Sequence, residues 1–371
     1  MQYCYNCEAG LTDDNRSEEH IIQNALGGRV KSGELLCNKC NPELGIAVDA
    51  AFVRQFDALT ALLSLRRERN KDYIIKNVKS KTGDAYHLKD GRKPVPVKPT
   101  IEIKDKSVYV SARDKRELLH ILKRLKEKHP GLDIENAEEK FQSQEYYMQE
   151  PVTIPMTIGG DDYFRGATKI AINAYLHFGG ERRHIIGALR YMLGVEQEQI
   201  VRWFYPELST EDTENEVSHT IYIKGCPATR TLQAFIMLFS CYGVLVKLSD
   251  VYDGADVELT YCYDVIQQRR IEKNIQPDLN VPSVGEPNLA DHNMREVVLE
   301  RMRRLMRIVD QLQAKKTVSE LAEKAVRSVL SKYPKGTPIT EEMFEEIANT
   351  AATKYVSFLH HLQSRGDALQ E

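Results

Sequence analysis

Residues 17–28, SEEHIIQNALGG, place an acid and a histidine ahead of two isoleucines and end in paired glycines. The stretch lies between two cysteine pairs, CYNC at residues 4–7 and CNKC at residues 37–40. A histidine beside apolar residues is usually an ordinary packed side chain. Its position midway between the pairs therefore raises the question of what the cysteines hold around it.

The two cysteine pairs have the spacing of two zinc knuckles that share one ion. A C-x-x-C turn presents both thiolates to a single metal, and two such turns fill a tetrahedral zinc site. Because Cys4, Cys7, Cys37 and Cys40 leave no coordination position open, we expect this Zn²⁺ to be structural. The 29 residues between the pairs exceed the roughly 15–20 of a plain zinc ribbon, which indicates additional structure in the loop. A disulfide, which a reducing cytosol disfavours, and a dithiol redox motif are the alternatives.

The order of these motifs resembles the four-cysteine branch of the HNH endonucleases. The resemblance covers residues 3–52 and rests on the series C-x-x-C, E-H-I-I-x-x-A-L-G-G and L-C-x-x-C-N-x-x-x-G. It implies a ββα-metal fold, in which two strands and a helix surround one catalytic metal with a structural zinc beneath. It also implies hydrolysis of phosphodiester bonds.

The resemblance implies a role for each matching residue. His20 matches the histidine that deprotonates the attacking water, and Glu19 matches the neighbouring acid that helps to hold the catalytic metal. Asn41 matches the last position of the motif, a second predicted ligand of that metal, and the four cysteines match the zinc ligands. Histidine suits the first role because its ordinary pKa is near neutrality. Carboxylate and amide oxygens suit a hard cation, Mg²⁺ or Mn²⁺, that stabilises charge on the phosphate.

The chain departs from the family pattern at two positions. Five residues before the third cysteine, where the family usually carries asparagine, it has Ser32, whereas counting from His20 leads to Glu34. The middle role stays open between these residues. The acid before the histidine is usually aspartate, which is one methylene group shorter than glutamate. Asn41 has a second interpretation, because it precedes Pro42 and could cap the following helix.

Asp49 follows Asn41 by two helical steps of four residues. Eight residues span about 12 Å along a helix axis, too far for both side chains to bind one ion. We therefore expect Asp49 to support the site from behind the metal ligands or to lie on the helix surface. Gly27 and Gly28 are expected to permit a tight backbone turn.

Charge divides the chain into an acidic start and a basic continuation. The net charge is −3, but residues 1–50 carry 4 Lys/Arg against 8 Asp/Glu, and residues 51–130 carry 21 against 10. An acidic cluster can hold divalent metal, and a basic segment can bind phosphates, although a solvated basic surface explains the second equally well. The candidate nucleic-acid contacts are Arg66, Arg67, Arg69, Lys123 and Arg124.

Hydrophobic periodicity predicts an α+β protein of three consecutive segments. Residues 1–69 would form the HNH module and a long helix, and residues 70–130 a basic neck of one antiparallel sheet and a helix that starts after Asp114. Residues 131–371 would form a larger mixed α+β domain with a helical C terminus. Within it, residues 229–241 are predicted as a helix or a buried strand.

These features predict a metal-dependent HNH endonuclease acting on DNA, with RNA not excluded, of a bacterial or phage defence or restriction type. No apolar run reaches the roughly 20 residues of a transmembrane helix, and no signal peptide is evident, so we expect a cytoplasmic protein that binds no membrane. A homo-oligomer is compatible with the sequence. One alternative is a non-catalytic zinc-knuckle protein that binds nucleic acid or a partner, which Ser32 favours. Another is a nuclease effector gated by a sensor in the C-terminal domain.

Overall fold

The structure, a computed structural model, describes residues 2–65, 74–89, 91–104, 107–112, 114–131, 152–206, 215–279 and 292–368. Contacts divide the chain into two compact units, and each unit draws on two separated stretches. The first unit contains residues 1–71 and 156–310, and the second contains residues 72–155 and 311–371. Both cysteine pairs therefore share a unit with residues from the C-terminal half of the chain.

Two strands and a broken helix form around the cysteine pairs. Strand β1 (Arg16–His20) pairs antiparallel with β2 (Lys31–Cys37), and the register shifts between Ser17 and Glu19. The strands and helix that the resemblance implies are thus present. The long helix predicted here is interrupted: α1 (Cys40–Leu44) continues through a π-helical turn (Gly45–Asp49) into α2 (Ala50–Arg54), and α3 (Asp57–Leu62) follows after a break.

The π-helical turn follows from the spacing of the apolar residues. Leu44, Val48 and Phe52 are all buried and recur every four positions, whereas an α-helix has about 3.6 residues per turn. In a regular α-helix this row would drift around the axis. The wider π-helical turn takes up the difference and keeps all three side chains on the buried face.

Paired glycines make the tight turn that the sequence predicts after His20. A 3-10 helix (Asn24–Leu26) ends at Gly27, whose φ of 95° lies in the left-handed region that glycine adopts without strain. A Cβ atom on Gly28 would lie 1.8 Å from the carbonyl oxygen of Ile22, so no larger residue fits there. These two positions bring the chain back toward β2.

A six-stranded antiparallel sheet forms the core of the first unit. Its strands are β9 (Val201–Trp203), β10 (Ser218–Cys226), β11 (Thr231–Leu238), β12 (Tyr242–Ser249), β13 (Val257–Asp264) and β14 (Arg269–Ile271). They lie in the order β14–β13–β10–β11–β12–β9. Strand β11 lies within residues 229–241, for which the sequence allowed either a helix or a buried strand.

Helix α5 (Gly160–His177) packs against both this sheet and the cysteine-containing segment. A Cβ atom on Gly166 would lie 2.2 Å from the ring of Phe52 on α2. Helices α5 and α2 therefore pack so closely that only glycine fits at this position. At the start of α5, Gln55 and Gly159 exchange two hydrogen bonds of 3.2 and 2.9 Å. The N-terminal segment is therefore built into the first unit. The 3-10 helix Arg182–Ile185 and helix α6 (Ile186–Met192) follow α5.

The second unit contains the basic neck. Its strands are β3 (Ile74–Ser80), β4 (Ala85–Lys89), β5 (Lys93–Pro96), β6 (Thr100–Lys104), β7 (Ser107–Ser111) and β8 (Val152–Thr153). Among the described residues these strands form two sheets where the sequence predicted one: the first has the order β5–β4–β3–β8, and the second pairs β6 with β7. Helix α4 (Lys115–Lys128) begins as predicted, with the Asp114 carboxylate accepting a 2.8 Å bond from the Glu117 N–H.

Two long helices complete the chain, as the sequence predicts. They are α7 (His292–Leu330) and α8 (Glu341–Ala368). Within the second unit, Glu320 of α7 forms an ion pair of 2.9 Å with Lys93 and another with Arg92. The predicted α+β class is confirmed. In the part of the chain that the structure describes, every helix is too short or too polar to span a membrane.

Candidate active site

The four paired cysteines form one cluster. Their sulfur atoms all lie within 4.8 Å of one another, and the sulfurs of Cys7 and Cys37 are 3.8 Å apart. A tetrahedral zinc with Zn–S bonds of about 2.3 Å requires sulfur–sulfur distances of about 3.8 Å. Each of the four is a free thiol, and three of them, Cys4, Cys37 and Cys40, are buried. The donor set therefore fits a structural zinc ion.

The thiols of Cys4, Cys37 and Cys40 lie in different environments. Burial acts to raise the pKa of Cys37, but backbone N–H groups of Cys40 and Lys39 donate to its sulfur and bring the pKa to about 7. Burial raises the pKa of Cys40 to about 12 and also raises that of Cys4. Zinc binds thiolates, so its positive charge would offset the cost of deprotonating the buried sulfurs.

The acid and the histidine of β1 occupy different environments at the end of the strand. Glu18 is exposed, Glu19 is buried at 5% exposure, and His20 is half-buried and is the last residue of β1. Consecutive side chains of a strand point to opposite faces, so β1 turns Glu19 inward. Opposite Glu19 on β2 lies Ser32, and opposite His20 lies Lys31.

The carboxylate of Glu19 is held by two side chains from helix α5. Lys169 Nζ lies 2.9 Å from Glu19 Oε1, and Asn173 Nδ2 donates a 3.0 Å bond to the same oxygen. Asn173 Nδ2 also donates a 3.2 Å bond to the backbone carbonyl of His20. Burial raises the pKa of Glu19, and the Lys169 ammonium opposes that shift.

Asp49 closes this cluster from the other side. Its Oδ2 lies 2.5 Å from Lys169 Nζ, and its Oδ1 accepts a 2.8 Å bond from the side-chain amide of Gln23. Asp49 is therefore linked to Gln23, three residues after His20. It supports the segment from inside the unit, which is one of the two places expected from the sequence.

Asn41 crosslinks α1 to β1. Its Nδ2 donates to Ser17 Oγ at 2.9 Å and to the backbone carbonyl of Glu18 at 3.1 Å. The helix begins at Cys40 with Lys39 before it, so the capping role considered for Asn41 is wrong. These bonds use the amide nitrogen, and the side-chain oxygen is the atom suited to a metal.

The two candidates for the middle role lie on β2. Ser32 is buried, and its hydroxyl accepts a 3.2 Å bond from the backbone N–H of Glu34. Glu34 is exposed. Ser32 pairs with Glu19 across the two strands, and Glu34 lies two residues further along β2.

The predicted nucleic-acid contacts lie apart from this segment in the sequence. Lys123 and Arg124 are exposed on helix α4 of the second unit. Arg66, Arg67 and Arg69 lie outside the described residues.

Lys169 and Asn173 belong to the site and were not among the residues predicted from the sequence. They occur in the run Thr168-Lys-Ile-Ala-Ile-Asn-Ala-Tyr175 of α5, where two polar residues four positions apart interrupt an apolar helix. Both are fully buried. A lysine and an asparagine at this spacing lie on one helix face and need buried partners, a signal for a polar contact that the sequence contains.

Comparison with known families finds a match in the N-terminal segment. Residues 4–57 match the family model of HNH endonucleases, from the first zinc cysteine to the start of α3. No curated protein and no solved structure matches the chain. The resemblance to this family is therefore confirmed for the N-terminal segment, which supports a nuclease-type hydrolase and a nucleic-acid substrate at the level of the family.

Proposed function

We propose that this protein is a metal-dependent endonuclease that hydrolyses phosphodiester bonds in DNA, with His20 as the general base. The observation that carries the proposal is the family match over residues 4–57, which contains the four clustered cysteines and His20 between them. Zinc bound by the cysteines would hold the second knuckle, and with it α1, against the strands. The segment would then present His20 at the end of β1.

His20 is suited to take a proton from water near neutral pH because of its residue type. It is half-buried at a strand terminus, and its backbone carbonyl is bonded to Asn173, so the backbone that bears the ring is fixed. The residue as a whole is half-buried, and its Nε2 atom lies below the surface. A water molecule that attacks phosphorus would give its proton to this imidazole.

The proposed reaction also requires stabilisation of negative charge on the phosphate. A bound Mg²⁺ or Mn²⁺ supplies this chemistry, and such ions commonly take ligands from substrate phosphates as well as from one or two protein groups. The side-chain oxygen of Asn41 fits this role because the amide nitrogen is the atom bonded to β1. Glu19, the other ligand predicted from the sequence, has Lys169 and Asn173 on one of its oxygens.

Helix α4 is the proposed contact with the nucleic-acid backbone in the described part of the chain. Its exposed positions include Lys123 and Arg124, and Lys126 and Lys128 lie in its last turn. Contacts between cationic side chains and phosphates supply affinity with little sequence information. DNA binding should therefore weaken steeply as the salt concentration rises, and RNA should compete with DNA for the same surface.

Cleavage of supercoiled plasmid tests this function. The parent, His20→Ala and the control His360→Ala, which changes an exposed histidine of α8, are compared with Mg²⁺ or Mn²⁺. We expect His20→Ala to lower the rate at least about 100-fold, the usual range for loss of a general base, while the control cuts like the parent. Equal cleavage by His20→Ala and the parent would contradict the assignment.

Two further outcomes separate the alternatives. A parent that binds DNA and RNA but cuts neither would favour the non-catalytic zinc-knuckle protein. A parent that cuts only after another component is added would favour a nuclease gated through its C-terminal part. Zinc content near one ion per chain in each preparation shows that the compared proteins contain the folded knuckles.

A further inference from the structure

A buried polar cluster joins α5 to the segment that carries His20. Lys169 and Asn173 have no exposed surface, and they lie on one face of α5 because they are four residues apart. Burying an ammonium group is costly unless it is paired, and here it lies between the carboxylates of Glu19 and Asp49. The cluster is therefore built with matched partners on both sides.

The cluster fixes the chain on both sides of the His20 side chain. Before it, the Glu19 carboxylate is held by Lys169 and Asn173, and at His20 itself the carbonyl accepts a bond from Asn173. After it, Gln23 is tied to Asp49, which binds the same Lys169. Three points within five residues are thus anchored to one helix face, directly or through Asp49.

We infer that Lys169 and Asn173 are positioning residues of the endonuclease site, and that Glu19 anchors β1 to α5 instead of binding the catalytic metal. The inference rests on the proposed function, since it concerns how a catalytic base is placed. Neither α5 residue needs to touch substrate. Both act on the reaction through the backbone and the side chains that they hold.

The contacts of Glu19 favour an anchoring role over metal binding. Oε1 already accepts from the Lys169 ammonium and the Asn173 amide. A divalent cation on the same carboxylate would lie close to a fully buried positive charge, and like charges repel strongly where water is excluded. Glu19 is also 5% exposed, whereas a cation that bridges to substrate phosphate needs a ligand at the surface.

This arrangement makes the HNH segment depend on a distant part of the chain. Lys169 and Asn173 lie 112 and 116 residues beyond residue 57, where the family match ends. The catalytic residues and the helix that positions them are therefore supplied by separate stretches of one compact unit. A defect in α5 should lower cleavage while the zinc knuckles remain intact.

Asn173→Ala in the full chain tests the positioning role. It removes the bonds to Glu19 and to the His20 carbonyl, and we expect kcat for plasmid cleavage to fall at least tenfold with KM for DNA and zinc content unchanged. Thr168→Val is the matched control, because Thr168 is also fully buried on α5 but its hydroxyl donates to Phe164 of the same helix. The control should stay within twofold of the parent.

A second readout does not depend on catalysis. In protein with ¹³C-labelled histidine, the ring signal of His20, identified by its loss in His20→Ala, should move in Asn173→Ala and stay in Thr168→Val. If Asn173→Ala loses its zinc, Asn173→Leu replaces it, since leucine keeps about the same side-chain size, removes both N–H donors and adds no charge beside Glu19. An unmoved His20 signal together with parental kcat in a zinc-loaded variant would overturn the positioning role.

The role of Glu19 is tested by metal binding in a protein that cannot cut. Mn²⁺ binding to zinc-loaded His20→Ala with duplex DNA is measured by electron paramagnetic resonance and compared with the Glu19→Gln/His20→Ala double variant. We expect the two affinities to agree within twofold. A tenfold weaker affinity in the double variant would show that Glu19 binds the metal.

Failure of this inference is distinguishable from failure of the proposed function. If the parent cuts DNA and His20→Ala does not, but Asn173→Ala behaves like the parent, the positioning role alone is wrong. If His20→Ala cuts as well as the parent, the proposed base is wrong, and the positioning of that base has no catalytic meaning.

Discussion

Lys169→Met removes the buried ammonium group and should make the first unit less stable to unfolding. Methionine keeps most of the side-chain length and its apolar packing but removes the charge that lies between Glu19 and Asp49. Both carboxylates would then face each other without a cation. The substitution therefore tests the electrostatic cluster separately from the volume of the side chain.

The size of the effect follows from burial. Lys169 has no exposed surface, and the side chains of its two partners are 7% and 18% exposed. Loss of one partner from a buried ion pair costs about 3–5 kcal/mol because the remaining charge stays desolvated. We expect Lys169→Met to lower the free energy of unfolding by that amount at pH 8.

The loss of unfolding free energy in Lys169→Met should become smaller as the pH falls. Burial already raises the pKa of Glu19, and removal of Lys169 raises it further. The folded protein then binds the proton of this carboxyl more tightly than the unfolded chain does. The free energy of unfolding therefore falls as the pH rises from the unfolded pKa to the folded pKa. Below the unfolded pKa the carboxyl is protonated in both states and costs no stability. The difference between the variant and the parent should therefore be smaller at pH 5 than at pH 8.

Urea unfolding followed by tryptophan fluorescence measures this difference. Trp203 is the single tryptophan, is 8% exposed, and stacks on Tyr163 of α5 with ring centroids 4.9 Å apart, so it reports on the first unit. Lys224→Met, which changes an exposed lysine of β10, is the control and should stay within about 0.5 kcal/mol of the parent.

A double variant checks the cause of the loss. Glu19→Gln/Lys169→Met removes one of the two unpaired carboxylates and should be more stable than Lys169→Met alone. A loss below about 1 kcal/mol for Lys169→Met would refute the reasoning, because an uncompensated buried charge costs more than that. A double variant less stable than the single one would refute the assigned pairing.

Three further changes give expected outcomes. Cys40→Ser should reduce zinc from about one ion per chain to a small fraction, measured by metal analysis, while Cys226→Ser keeps it; retained zinc in the first would contradict the four-thiolate site. Gly28→Ala should lower the free energy of unfolding by at least about 2 kcal/mol, because its Cβ has no room, whereas Gly45→Ala, with open space in a helix, should be neutral or stabilising; equal effects would contradict the close turn. Burial lowers the pKa of His219 from 6.5 to about 4, so the unfolded chain binds its proton first and stability falls as pH falls below 6.5; from pH 7.5 to 5 this amounts to about 2 kcal/mol. His219→Gln should show that much less acid sensitivity in urea unfolding, and an unchanged pH profile would contradict it.

His219 of β10 connects the six-stranded sheet to the turn that follows His20. Its Nε2 lies 2.9 Å from the carbonyl oxygen of Leu26, and its Nδ1 accepts a 3.2 Å bond from the backbone N–H of Phe239. Both bonds are compatible with a neutral ring that carries its proton on Nε2. The turn after His20 is thereby fixed to the central sheet.

Local patterns predicted the parts of the molecule that depend on local chemistry. The spacing of Cys4, Cys7, Cys37 and Cys40 predicted a metal cluster because a C-x-x-C turn fixes two sulfurs by itself. The capping spacing at Asp114 predicted the start of α4 for the same reason. The helix after Cys40 was predicted in position but not in form.

The features that the sequence did not predict depend on contacts between residues far apart in the chain. Lys169 lies 150 residues from Glu19 in the sequence, and no local rule connects the two. The division of the chain into two units that each combine separated stretches has the same origin. The strand at residues 231–238 stayed ambiguous because burial on both faces removes the alternation that identifies a strand.

The most direct test of the central claim is chemical rescue of the base that His20 provides. His20→Gly removes the ring and leaves space beside β1, and plasmid cleavage is measured with and without free imidazole at constant pH and ionic strength. The account predicts little cleavage by the variant alone, recovery that increases with imidazole concentration, and no such response in the parent. Full cleavage by His20→Gly without imidazole would contradict the claim that this histidine activates the attacking water.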